Sequence, residues 1–138
     1  MSTRVVLDAS AALEAVLPGP RAAEVLDALA LATLVLAPGL LHCEVASALW
    51  KLVRHGDLPG DQAPSLLEAA AGLVDVVTPD EALATEALGL ALTAGHTAYD
   101  MTYAVLARRH ACAVLTMDQK LARTLRSLDI PTQPTAKA

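Results

Sequence analysis

The sequence predicts an α/β domain: an open, mainly parallel sheet of four to five strands with helices on both faces. Two observations lead there. Short aliphatic runs without polar alternation recur along the chain, and helical stretches separate them throughout. Such runs suit strands buried on both faces of a parallel sheet, and parallel neighbours need right-handed helical crossovers.

"RVVL" (residues 4–7) is the first strand, followed by a helix over about 10–17 that Pro18-Gly19-Pro20 stops. A helix over 21–31 leads to the second strand, "TLVLA" (33–37). The next helix, 40–54, ends at His55-Gly56, and another covers 61–72. "VDVVT" (74–78) is more polar and suits an edge-side strand. Helices over 80–94, stopped by Gly95, and over 97–110 precede the third apolar run, "CAVLT" (112–116). A helix over 119–128 follows, and a short last strand is expected near Ile130. One domain is expected over 1–130, with "PTQPTAKA" (131–138) as a short flexible tail.

Composition bounds the function. At 138 residues and 54% hydrophobic, the chain has ample material for one core. The longest nearly uncharged apolar run, residues 28–41, is interrupted by Thr33, Pro38 and Gly39. It falls short of the roughly 20 residues of a membrane span, so no membrane partner is expected. Asp8 and Glu14 interrupt the N-terminal apolar region, which argues against a secretory signal and for a cytoplasmic location. Cys43 and Cys112 form no C-x-x-C pair and read as buried free thiols. The net charge of −5 is uneven: −1 over residues 1–54, −8 over 55–107 with no Lys or Arg, and +4 over 108–138. An acidic total therefore leaves room for a basic, phosphate-facing patch, although Arg108 and Arg109 equally suit a helix C-terminus.

In a parallel sheet the loops after the strands gather on one edge, where ligands of open α/β sheets bind. Asp8 ends the first strand, and Asp118 closely follows "CAVLT". Glu44 and Asp100 sit in the first turns of the helices expected from 40 and 97. Each has an ordinary alternative. Asp8 or Ser10 would cap the first helix, Thr97 with Asp100 fits a capping box, Asp118 would cap the last helix, and Glu44 would be favoured by a helix dipole. Capping, however, does not ask acids from four separate elements to meet. Four carboxylates at one rim repel unless a cation neutralises them, and a hard ion such as Mg²⁺ or Mn²⁺ takes oxygen ligands. His42, His55, His96 and His110 are scattered, so nothing favours zinc.

The stretches "VVLDASAAL", "LLHCEVASALWK", "AYDMTYAVLARR" and "AVLTMDQKLA", in that order over about residues 4–128, resemble the PIN-domain ribonucleases, among them the VapC-type toxins of toxin–antitoxin pairs. The resemblance implies a three-layer α/β/α fold, metal-dependent RNA cleavage, a homodimer, and inhibition by a cognate antitoxin protein. Carried over, Asp8, Glu44, Asp100 and Asp118 are the metal-binding, catalytic acids. Ser10 and Thr116 match small hydroxyl positions that orient a carboxylate, and equally fit a cap or a strand-end hydroxyl.

Phosphodiester hydrolysis needs an activated nucleophile and a stabilised leaving alkoxide. A metal held by Asp8, Asp100 and Asp118 would activate water, while Glu44 holds a second ion or assists deprotonation. Phosphate contacts are expected from Lys51 and Arg54 on the Glu44 helix and from Lys120, Arg123 and Arg126 on the last helix. Aromatic residues are scarce: Trp50 reads as packing, and Tyr103, three residues after Asp100, is expected to face the cleft. The Ala- and Leu-rich helices 21–31 and 61–72, with Leu66, Leu67, Ala70 and Leu73, offer apolar surface for a homodimer, an antitoxin or internal packing.

Other functions use an acidic Mg²⁺ pocket on such a sheet. A phosphoacceptor receiver domain usually pairs acids after its first strand and ends its last strand on lysine. Here the first strand offers Asp8 alone, and Lys120 lies at a helix start. A D-x-D phosphatase needs an aspartate where this chain has Ser10, and a non-catalytic PIN-like module would lack one of the acids.

Overall fold

The computed structural model describes residues 3–134. A five-stranded, all-parallel sheet is ordered β3-β2-β1-β4-β5. Its strands are β1 (Arg4–Leu7), β2 (Leu34–Pro38), β3 (Val76–Thr78), β4 (Ala113–Leu115) and β5 (Thr132–Gln133). Helices α1 (Ala9–Val16), α2 (Ala22–Leu31), α3 (Leu40–Arg54), α4 (Ala63–Ala71), α5 (Ala84–Ala94), α6 (Ala98–His110) and α7 (Gln119–Ser127) cover it.

Side-chain alternation along the strands divides the core into two layers. Val6, Leu36 and Val114 turn to the face covered by α5, α6 and α7. Val5, Leu7, Val35, Ala37 and Leu115 turn to the face covered by α1 to α4. The result is the α/β/α sandwich expected. Leu7 and Leu115 are wholly buried, and truncating either to alanine costs about 2–5 kcal/mol. The ends of β1 and β4 are therefore firmly placed.

Several elements differ in extent from the sequence reading. The expected helix 61–72 begins as a 3-10 turn, Gly60–Gln62, and becomes α-helical with Pro64 in its first turn, where a missing N–H costs nothing. The expected helix 80–94 is likewise a 3-10 turn, Asp80–Ala82, followed by α5. The last strand lies beyond Ile130, because that residue's amide still bonds to Leu125 O at 2.9 Å and closes α7. Thr132 and Gln133 pair with Val114 and Leu115, so the segment expected as a tail starts as sheet; its last four residues, 135–138, lie outside the described residues.

Ala70 of α4 is buried, and Leu66, Leu67 and, just past the helix, Leu73 are partly buried against the α1–α4 core. Exposed apolar surface lies at Leu26 and Leu31 on α2, at Trp50 on α3, at Val76 and Val77 on the edge strand β3 and at Leu88 and Leu92 on α5; Cys43, expected to be buried, is exposed on α3, and Cys112 is only partly covered. Among the described residues no helix is long and apolar enough to cross a membrane.

Candidate active site

The chain builds one half of the sheet outward from β1, then returns to add β4 and β5 on the other side. The order reverses between β1 and β4, and the crevice beyond their C-terminal ends is where such folds bind ligands. Asp8 and Thr116 are the first residues past β1 and β4.

Asp8 is 4% exposed and N-caps α1. Its Oδ1 accepts from the Ala11 amide at 2.9 Å and the Ser10 hydroxyl at 2.7 Å, and its Oδ2 accepts from the Thr116 hydroxyl. Ser10 Oγ in turn accepts from the Met117 amide at 2.9 Å, and Thr116 Oγ1 accepts from the Asp118 amide at 3.0 Å. The two hydroxyls thus tie the end of β1 to the loop after β4. Asp118 caps α7 through the Leu121 amide at 3.1 Å. Capping and convergence are both real here: Asp8 and Asp118 cap their helices and also oppose each other electrostatically. Burial lifts the Asp8 carboxyl from 3.8 to about 6, against the three hydrogen bonds that favour its charged form.

Glu44 and Asp100 approach from helices. Glu44, half-buried on α3, accepts the Tyr103 hydroxyl at 2.6 Å. Burial raises its carboxyl above the usual range, as do the charges of Asp100, Asp80 and Asp118, while the Tyr103 bond lowers it. Asp100, in the first turn of α6, is raised by burial and by Asp118, and lowered by His96 and Lys120. His96 Nδ1 lies 3.2 Å from Asp100 Oδ2 and 3.1 Å from the Thr97 amide. The Thr97 amide donates to that nitrogen, and Nε2 is buried without a hydrogen-bond partner among the described residues.

Asp80 is a rim acid that the sequence reading passed over. It follows β3 by two residues and accepts from the Leu40 amide at 3.0 Å, capping the helix that carries Glu44. An acid just past a strand end was the available signal.

All four expected acids are brought to one electrostatically coupled rim. Among the described residues no three Asp, Glu, His or Cys side chains close on one point. Asp8, Glu44 and Asp118 are each turned onto a protein donor, and Asp100 faces His96. The donor set, all carboxylate oxygen with no thiolate, fits a hard divalent cation, and the mutual repulsion is what a cation relieves.

The expected nucleic-acid contacts divide. Lys51 joins Glu44, Ser47 and Asp100 along a groove of about 480 Å³ between α3 and α6. Lys120 acts on Asp100 electrostatically. Arg123 is exposed on α7, while Arg126 donates to Thr132 at 3.3 Å, on the β5 side. Arg54 lies off the groove, its guanidinium 5.3 Å from the centre of the Trp50 ring. Tyr103 is corrected: it is 1% exposed, buried within α6, with its hydroxyl spent on Glu44. It positions Glu44 and presents no ring face to a base; burial pushes its phenol above the ordinary tyrosine range.

Residues 5–126 match the PIN domain. Over 131 residues the chain is 34% identical to "Ribonuclease VapC3" of Pyrobaculum aerophilum, covering 93% of this chain and 99% of that protein. Two solved structures share the fold. PAE2754 from Pyrobaculum aerophilum superposes with a TM-score of 0.71 at 23% identity, covering 93% of this chain and 95% of that one. FitAcB from Neisseria gonorrhoeae gives a TM-score of 0.59 at 22% identity over the same shares.

Proposed function

Because the chain belongs to the PIN-domain family, we propose that it is a VapC-type ribonuclease that hydrolyses RNA phosphodiester bonds as the toxin of a toxin–antitoxin pair. The observation that carries this reading is the gathering of four electrostatically coupled carboxylates from four elements along the rim beside the β1/β4 switch point. Asp8, Glu44, Asp100 and Asp118 would hold Mg²⁺ or Mn²⁺. When bound, such an ion lowers the pKa of water and neutralises charge building on the phosphate.

The chain's own groups supply the rest. Ser10 and Thr116 fix the Asp8 carboxylate in one orientation. Tyr103 occupies Oε1 of Glu44, so Oε2 is the oxygen left to take a proton from the attacking water. Lys51 and Lys120 offset the negative rim and meet phosphate oxygens, with Arg123 further along α7. A cognate antitoxin is the protein partner. The exposed leucines of α2 and α5 suit a homodimer or that partner, and the site of action is the cytoplasm.

The test is incubation of the purified protein with a panel of RNAs and Mg²⁺ or Mn²⁺, with EDTA and Asp100→Asn as controls. Cleavage that both controls abolish is expected. Cleavage that Asp100→Asn leaves intact, or none across a broad panel, would overturn the reading.

A further inference from the structure

Tyr99 is an exposed aromatic residue beside the carboxylate rim. It precedes Asp100, its backbone carbonyl accepts the Thr102 hydroxyl at 2.7 Å, and its ring is left 68% exposed. The ring stands between two hollows. One is the polar groove of Glu44, Lys51 and Asp100; the other, of about 180 Å³, is lined chiefly by apolar groups such as Ala87 and Ala98, with Asp80 and Thr102 also on its wall. Leu40 and Tyr99 line both.

We propose that Tyr99 and the apolar hollow beside it form a subsite for one unpaired nucleobase, next to the phosphate that the acids address. This rests on the ribonuclease reading above and assigns Tyr99 as the residue that positions the substrate's base. A nucleotide is amphipathic, an anionic phosphate joined to a flat base with apolar faces. The two joined hollows have the same division, with a ring at the boundary on which a base can stack. The other aromatic residues do not compete: Tyr103 is buried, and Trp50 lies under Arg54 on a different groove. A base held in a duplex could not enter the hollow, so the base that Tyr99 holds is an unpaired one.

Two measurements test this. In the first, Tyr99→Ala and Tyr99→Trp are compared with the unaltered protein on one oligonucleotide, single-stranded and in a duplex. Tyr99→Ala raises KM for the single strand about 5- to 150-fold, the loss of one base stack; Tyr99→Trp restores it, and the duplex is a poor substrate throughout. The ring is exposed, so both variants keep their melting temperature. In the second, a single-stranded RNA carrying 5-iodouridine is photocross-linked to the protein and the adduct is mapped by mass spectrometry, which needs no turnover. A cross-link at Tyr99 is expected. An unchanged KM in Tyr99→Ala, or cross-links at Trp50 with none at Tyr99, overturns the subsite and leaves the nuclease standing. Absence of all cleavage with a cross-link at Tyr99 overturns the nuclease and leaves the subsite.

Discussion

The rim has two sides that are held differently. On the strand side, Asp8 and Asp118 sit where β1 and β4 end, and Ser10, Thr116 and three backbone amides lock them together. On the helix side, Glu44 and Asp100 reach in from α3 and α6, and each faces one side-chain partner, Tyr103 and His96. The strand side is placed by sheet register and backbone. The helix side is placed by single side-chain contacts, each of which one substitution removes.

The largest effect is expected on the strand side. Asp8→Asn loses cleavage by on the order of a thousandfold, several kcal/mol of charge stabilisation. Its stability should move the other way. The buried carboxyl titrates at about 6, above its unfolded value, so its contribution favours the fold fully below the ordinary carboxylate range and is lost as pH rises through 6. A lift of that size is worth on the order of 3 kcal/mol. Asparagine still caps a helix. In EDTA at pH 7.5 the variant therefore melts at or above the unaltered protein, and the advantage disappears towards pH 4. A clear loss of melting temperature at pH 7.5 would mean that the charge serves the cap.

The helix side answers to smaller changes. Tyr103→Phe removes one hydroxyl from a filled position, and a hydrogen bond to a charged group is worth about 1.5–3 kcal/mol. Cleavage falls about 10- to 100-fold, whereas a nearly unchanged rate would show that Glu44 is held by something else. The smallest effect belongs to the groove wall. Lys51→Ala lowers the salt slope of RNA binding by about one, while Arg54→Ala, stacked off the groove on Trp50, leaves it unchanged. Equal effects of the two would move the RNA path across α3.

The sheet and the rim acids were legible because uninterrupted apolar runs mark parallel strands, and an acid just past such a run lies on a predictable edge. The helix faces were harder to read. Lys51 follows Glu44 by seven residues, about 20° off its direction at 100° per residue, but Arg54 follows by ten and points about 80° away. Tyr103 misled because Met101 to Ala107 are all buried; a helix covered on every side has no periodic signal to show which face meets the cleft. Asp80 was missed because β3 is short and its burial weak, so its end was poorly marked.

The central claim is that the carboxylate rim activates water and that the RNA's own 2′-hydroxyl takes no part. The chemistry of the cut ends decides it. A defined RNA cleaved in Mg²⁺ or Mn²⁺ should carry a 5′-phosphate on one product and a 3′-hydroxyl on the other. Recovery of 2′,3′-cyclic phosphate ends would contradict the account.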